Sequence, residues 1–343
     1  MTRKSLKIAV IGATGLVGQV LIKELEKGGF NFEVDDIIPY ASGSSEGKFI
    51  NFRGEKIGIK SLKGKNIENV DIAFFCADEE VSKQFAKKFI DKGIVVIDNS
   101  SAFRLDAGIP LVVPEVNADD IGDAMLIANP NCSTIQLVVA LSPLIRFGIK
   151  RVFVTTYQAM SGAGRDALSS FIEEWEDMWD WIENKSLVEL VSEHPYADFV
   201  PPAHFSNVVP QIGNIIQGDL YKEEYKIIHE TRKILNMPDL NIHVTAVRVP
   251  VINAHSESVF VEFRTIPNLK DVKDALSRSE GIEITEPYPT PVAISGKRKV
   301  YIGRIRQEFD EPNIYHLFVV ADNLRKGAAT NALQIAEIIA ERF

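Results

Sequence analysis

The chain is predicted to be an α/β protein, with a doubly wound parallel sheet followed by a second, α+β domain whose sheet is largely antiparallel. Three observations predict it. Leu6 to Ile11 is a continuous apolar strand that runs into a glycine-punctuated turn and then a helix to about Lys27, the opening of a βαβ unit. Apolar strands then alternate with amphipathic helices as far as Ala128, which implies parallel pairing with both sheet faces covered. Beyond Phe147 the strands alternate apolar and polar residues, the mark of a sheet with one wetted face.

A length of 343 residues exceeds one comfortable core, so two domains are expected. Residues 1–131 form the first, 132–322 the second, and the last helix, 323–343, returns to the first. A net charge of -9 provides no basic field for nucleic acid or an anionic membrane, although local Arg and Lys can still hold a small anion. Two cysteines make no disulfide framework, and Met1 to Lys7 leads directly into a strand, not into a secretory apolar region. A reducing cytoplasmic location is therefore expected. No apolar run is long enough to span a bilayer, there is no internal repeat, and no metal site is expected.

In the first turn, Gly12, Ala13, Thr14, Gly15, Leu16, Val17 and Gly18 separate strand from helix. Glycines there let the backbone approach a pyrophosphate, which sits on the helix N-terminus; a merely tight turn is the alternative. The second strand, Val34 to Tyr40, should end near the adenosine ribose. There the chain carries Ala41, Ser42, Gly43, Ser44, Ser45, Glu46, Gly47 and Lys48, whose hydroxyls and lysine suit a 2'-phosphate, and hence NADP, better than the carboxylate of an NAD site would. Glu46 pulls the other way, and a solvated Ser/Gly loop has the same composition. Asp71 to Ala77, Glu79 to Lys92 and Ile94 to Asp98 continue the strand–helix–strand alternation, with Cys76 read as core among Ile72, Ala73, Phe74 and Phe75. Arg104 follows a strand's C-terminal end, where open α/β sheets put ligands; it is a phosphate or carboxylate clamp or a solvated loop residue.

Ala124 to Ala128 reads as a short buried strand and Ile135 to Phe147 as a helix, so Cys132 lies on the turn between them. Pro130 ends the strand and Asn131 is suited to cap the helix; free N–H groups and the helix dipole would favour a thiolate. Cys132 is thus a nucleophile or a small buried thiol. In the second half, Val152 to Gln158, Asn241 to Val249 and Ser256 to Ile266 are strands. Gln158 ends the first of them and is followed by Ser161 and Gly162 in a glycine turn. Arg248 sits inside an apolar run and requires an anionic partner, from protein or ligand. His255 is structural or, given a poised cysteine, catalytic. Tyr221 to Leu235 is an amphipathic helix with Glu223, Lys226 and Arg232, charges that would ordinarily face solvent. Trp175, Trp179 and Trp181, at roughly helical spacing in an acidic segment, are read as core or subunit contact. Tyr315 to Ala321 is a strand, and Asp322 to Ala328 opens the final helix.

Taken together, GATGLVG, DNSSAFR, LVVPEVN, NPNCST, YQAMSGAG, RVPV, the HSE after it and DNLRKGAATNA resemble, in order and over nearly the whole chain, the signatures of the aspartate-semialdehyde dehydrogenase family. The resemblance implies a Rossmann-like first domain and a catalytic and dimerisation second domain. It implies NADPH-dependent reductive dephosphorylation of L-aspartyl 4-phosphate to aspartate 4-semialdehyde, in lysine, threonine and methionine biosynthesis, by a homodimer or homotetramer. Carried over by motif, Cys132 is the nucleophile that forms an acyl-thioester, Gln158 the amide that orients it and His255 the acid/base. Arg248 clamps the substrate carboxylate and Glu223 its amino group; Arg104, Asn131 and Lys226 bind phosphate. Gly12, Thr14, Gly15, Leu16, Val17, Ser42, Ser45, Ser161, Gly162 and Asn323 match cofactor contacts. Ser44 stands where many bacterial relatives have an arginine, which bears on the strictness of NADP preference.

Three other readings are distinguishable. N-acetyl-glutamyl-phosphate reductases share the plan and the chemistry but typically have Gly before and Tyr after the nucleophile, where this chain has Asn131 and Ser133. A cofactor-free cysteine hydrolase or acyltransferase leaves the GATGLVG turn unexplained. A non-catalytic nucleotide-binding interaction protein requires that Cys132→Ala leave every function intact.

Overall fold

The computed structural model describes residues 4–42, 45, 47–62, 67–195 and 203–343. Gly43, Ser44 and Glu46, which bear on the ribose end, lie outside the described residues. Among those described, the first sheet comprises β1 (Lys4–Ile11), β2 (Phe32–Ala41), β3 (Lys60–Ser61), β4 (Ile72–Phe75), β5 (Val95–Asp98) and β6 (Leu126–Ala128). Its spatial order is β3-β2-β1-β4-β5-β6, with every pair parallel. Because helices cover both faces, the central strands are apolar throughout: β4 is buried at all four residues. Helices α1 (Leu16–Lys27) and α2 (Glu79–Ile90) start at the carboxyl ends of β1 and β4. The strand order reverses between those two strands, which opens a crevice there. α2 is capped by the Asp78 side chain, which accepts from the Val81 N–H.

The second sheet comprises β7 (Ile149–Gln158), β8 (Asn241–Arg248), β9 (His255–Phe263), β10 (Ile282–Ile284), β11 (Val300–Gln307) and β12 (Ile314–Ala321), in the order β8-β7-β9-β12-β11-β10. Its central pairings are antiparallel, while β8 runs parallel to β7 and β10 parallel to β11 at the edges. Alternation in β8 reports its wetted face and carries no information on direction. One face packs Val152, Val154, Val259 and Val261 under α3 (Cys132–Leu141) and α5 (Lys222–Ile234). On the other, Phe153 stacks on His243 at 4.6 Å and meets Phe260 edge-on, and Phe260 meets His316, a row of rings across four strands.

Three local differences from the sequence reading have physical causes. The helix read from Ile135 to Phe147 starts at Cys132 and gives way at Ser142 to 3-10 turns, where Pro143 withholds an amide. Helix α4 (Arg165–Glu183) buries Phe171 and Met178, whereas Trp175 is 49% and Trp179 61% exposed, so neither is core. Cys76, just past the end of β4, is only partly buried and lines the crevice, because the chain is leaving the sheet there. The final helix, α6 (Thr330–Ala340), buries Leu333, Ile335 and Ile339 in the same cluster as Leu6 and Ile8.

Candidate active site

A cleft of about 730 Å³ lies between the two sheets and is walled by Gly15 to Val17, Arg104, Asn131, Cys132, Ser161, Gly162, Glu223, Lys226, Arg248 and Asn323, among others. A second cavity of about 710 Å³, walled by Gly12, Thr14, Ser42, Ser61, Val81 and Phe85 among others, shares Gly15, Cys76, Ala77 and Asp78 with it. The two are therefore one groove from Ser42 to Cys132. Its floor is backbone. Gly12 has φ +83°, and a Cβ there would stand 2.4 Å from the Cys76 carbonyl oxygen; a Cβ on Gly18 would stand 2.3 Å from that of Gly12. Only glycine permits both the turn and the packing of α1 on it. The apolar end at Val81 and Phe85, the bare turn and the N-terminus of α1 fit a dinucleotide. Ser45 does not line the groove; its N–H bonds to the Ser42 carbonyl at 2.9 Å.

At the other end the walls are side chains. Asn131 caps α3, accepting from the N–H groups of Ser133 at 3.0 Å and Thr134 at 3.2 Å. Its amide donates to Glu223 at 2.8 Å, and its own N–H donates to Glu230 at 2.6 Å. Gln158, at the end of β7, donates to Ser133 Oγ at 2.9 Å and Glu223 at 3.2 Å. Lys226 reaches Glu223 at 3.2 Å. Arg104 pairs with Glu230 at 3.2 Å and donates to the Asn99 carbonyl at 2.7 Å. Arg248, only 6% exposed, donates to the Ala159 carbonyl at 2.7 Å. Among the described residues no carboxylate forms an ion pair with it, so its charge is left for an anion in the cleft.

His255 is buried behind the cleft wall. The Ala159 N–H donates to its Nδ1 at 3.0 Å, which puts the proton of a neutral ring on Nε2. That Nε2 has no hydrogen-bond partner, and a Cβ on Gly162 would stand 2.8 Å from it. Burial, reinforced by the Arg248 guanidinium, lowers the imidazole to about 3. Near neutral pH the ring is thus an N–H donor.

Burial also pushes the Cys132 thiol up to about 12; Glu223 adds to this, while Arg104, Arg248 and Lys226 oppose it. The thiolate expected at a helix start is therefore not what the protein alone maintains: Asn131 consumes two of the amides that would have served the sulfur, and burial outweighs the three cations beside it. Burial raises the Glu223 carboxyl as well, but Lys226 and the amides of Asn131 and Gln158 outweigh it and hold the group at about 2.

Arg104, Asn131, Glu223, Lys226 and Arg248 thus line the cleft with Cys132, Gln158 is tied to them through Ser133 and Glu223, and His255 stands behind the wall against Gly162 and Arg248. Sequence reading missed Glu230, which ties Arg104 to the Asn131 backbone, and Gly327, where a Cβ would meet that of Cys132 at 2.9 Å. Glu223, Lys226 and Glu230 recur at helical spacing on α5, a signal that could have exposed Glu230. Also missed was a bridge across the cleft mouth, Lys222 to Glu79 at 2.5 Å, with Ser101 on the same carboxylate. Asn323 accepts from the Ala254 N–H at 3.0 Å and pairs with Ser161 on the cleft wall. Among the described residues no group of three or more His, Cys, Asp or Glu could hold a metal ion, and no helix is long and apolar enough to cross a membrane.

Fold and site together define a two-domain oxidoreductase with a cysteine at the junction. Residues 7–124 match the family model for the semialdehyde dehydrogenase NAD binding domain, and 141–326 that for the semialdehyde dehydrogenase dimerisation domain. Aspartate-semialdehyde dehydrogenase of Aquifex aeolicus (strain VF5) is 42% identical, over 97% of each chain. The crystal structure of aspartate semialdehyde dehydrogenase II of Vibrio cholerae, complexed with ASA, has a TM-score of 0.88 at 38% identity, covering 100% of each chain. That of Candida albicans aspartate semialdehyde dehydrogenase with NADP has a TM-score of 0.73 at 26% identity, covering 98% of each. The chain belongs to the aspartate-semialdehyde dehydrogenase family.

Proposed function

We propose that the protein carries out the NADPH-dependent reductive dephosphorylation of L-aspartyl 4-phosphate to L-aspartate 4-semialdehyde, through an acyl-thioester on Cys132, in the cytoplasmic route to lysine, threonine and methionine. The observation that carries this reading is the meeting of a cysteine, a buried N–H-donating histidine and an unpaired arginine at one end of a groove whose other end is a glycine turn. The binding of ASA by the Vibrio relative and of NADP by the Candida relative supports it.

Arg248 takes the substrate α-carboxylate and Glu223, ionised at neutral pH, the α-ammonium; Arg104, Asn131 and Lys226 receive the phosphate. Cys132 sulfur attacks the acyl carbon, the C–O bond to phosphate breaks, and the thiol proton leaves with the phosphate. Arg104, Arg248 and Lys226 already pull the thiol down against its burial. Gln158, held by Ser133 and Glu223, orients the carbonyl. His255 Nε2–H faces the oxygen on which negative charge develops and donates a hydrogen bond to it. When bound, the reduced dinucleotide supplies hydride to the thioester carbon; Gly12, Thr14, Gly15, Leu16, Val17, Ser42, Ser161, Gly162 and Asn323 would hold it. The C–S bond then breaks, the semialdehyde leaves and the Cys132 sulfur takes a proton from solvent; in the opposite direction Cys132 adds to the semialdehyde carbonyl, and its thiol proton passes to the oxygen that His255 Nε2–H holds.

The chain is proposed to divide at residues 131 and 132, with 323–343 joining the first domain, and to work as a homodimer or homotetramer. The row of Phe153, His243, Phe260 and His316 on the wetted face of the second sheet supports a subunit contact there. The test is reduction of dinucleotide by the purified protein with phosphate and either aspartate semialdehyde or N-acetyl-glutamate semialdehyde, with NADP and NAD in parallel. Turnover with aspartate semialdehyde and preference for NADP are expected. Turnover only with the acetylated substrate would establish the sister reductase instead, and activity on thioesters without nucleotide a hydrolase.

A further inference from the structure

Beneath the catalytic groups lies a second polar tier that the mechanism does not use. Gln136 follows Cys132 by one helical turn on α3 and shares its face. Thr156 precedes Gln158 by two residues on β7, and Glu257 follows His255 by two on β9; each is therefore on the same sheet face as its catalytic neighbour. Thr156 and Glu257 stand opposite each other in the β7–β9 register, which brings their Cβ atoms to about 5 Å. All three side chains are 0% exposed.

None of their five polar side-chain atoms has a formed hydrogen bond. Native interiors rarely leave such groups orphaned, and a cluster of them demands an account. Among the described residues no cation faces the Glu257 carboxyl; burial drives it well above its ordinary range, and only the Gln136 amide, standing beside it, partly offsets this. Around it the neighbouring elements present Gln136 from α3, Thr156 from β7, Val319 from β12 and His255 from its own strand. An ionised carboxylate would be a buried charge without a partner. A neutral acid has one O–H to give and one C=O to receive, which matches the Gln136 oxygen and the Thr156 hydroxyl.

We propose that Gln136, Thr156 and Glu257 form a positioning tier that locks the start of α3 to β7 and β9, with Glu257 as its hydrogen-bond donor. Their task is to hold Cys132 in register with Gln158 and His255. The proposal rests on the catalytic reading above, in which those three residues must meet at one carbonyl. Its reach is geometric: a displacement of the sulfur by about 1 Å can cost on the order of a hundredfold in rate.

The experiment compares the wild type with Glu257→Gln, Glu257→Leu and Gln136→Leu, each checked for folding by circular dichroism. Glu257→Gln keeps a neutral donor of the same shape and is expected to retain kcat to within about threefold, with a pH–rate profile from about pH 6 to 9 that superimposes on the wild type. Glu257→Leu and Gln136→Leu are expected to lower kcat at least about tenfold while KM for aspartate semialdehyde stays within about twofold. Alkylation of Cys132 by iodoacetamide, measured without nucleotide, should quicken in both leucine variants as the start of α3 loosens. Unchanged kcat and unchanged alkylation in the leucine variants would overturn the proposal, as would a displaced pH profile in Glu257→Gln. Should the wild type fail to turn over aspartate semialdehyde, the functional reading falls, and the alkylation contrast still decides the tier.

Discussion

Around Gly12 and Gly15 the groove is walled by backbone, whereas around Cys132 it is walled by side chains gathered from several elements of both sheets' connections. The first end needs one local feature, a turn that no Cβ can enter, and the chain supplies it within seven consecutive residues. The second needs groups separated by 99 and 126 residues to meet, as Asn131 meets Glu230 and Arg104 meets the same carboxylate. Local backbone sites tolerate change in what surrounds them; assembled sites fail when any one member moves.

The largest effect should come from the assembled end. Cys132→Ala is expected to lower kcat by roughly 10⁴-fold or more while nucleotide affinity, measured by fluorescence titration, stays unchanged; retained turnover would remove the nucleophile from the account. Next, His255→Asn should cost about a hundredfold in kcat, the usual worth of one hydrogen-bond donor aimed at a developing oxyanion.

Two glycines then separate the ends directly. Gly162→Ala drives a Cβ into the His255 ring and against Arg248, so activity should fall by on the order of a hundredfold with little change in thermal stability. Gly12→Ala drives one into the Cys76 carbonyl at positive φ, so stability should fall by about 1–3 kcal/mol and nucleotide affinity with it. Equal effects of the two on melting temperature would erase the distinction.

The smallest effect is on stability against pH. His255 is held at about 3 in the folded protein by burial and by Arg248, below the ordinary histidine value. The unfolded chain therefore binds the extra proton between those limits, and stability from this group is present above about pH 6.5 and declines as pH falls toward 3. Relative to His255→Asn, the wild type should lose about 2 kcal/mol between pH 7 and pH 5, measured by denaturant titration at each pH. A wild-type stability that rises relative to His255→Asn as pH falls would have the wrong sign.

Legibility in the amino-acid sequence follows the same division. The first sheet is legible, since β1, β4 and β5 are apolar runs between helices, and the glycine turn carries its meaning in its own spacing. Cys132, Asn131 and Arg248 each stand out locally, by a turn, a cap and an isolated charge. Glu230 does not, because a glutamate on an amphipathic helix looks solvated until its helix is packed on Arg104. Nor is the parallel pairing of β8 with β7 readable, since pairing depends on the partner. The raised thiol likewise depends on burial by distant segments, which overrides the capped helix end that the sequence displays.

The central claim is a covalent bond between one sulfur and the substrate's acyl carbon. Mass spectrometry of the protein quenched after mixing with aspartyl phosphate, or with aspartate semialdehyde and NADP, tests it most directly. The account predicts an aspartyl adduct on the peptide containing Cys132, absent from Cys132→Ala and from Cys76. An adduct on another residue, or turnover with Cys132 unmodified under every quench, would contradict it.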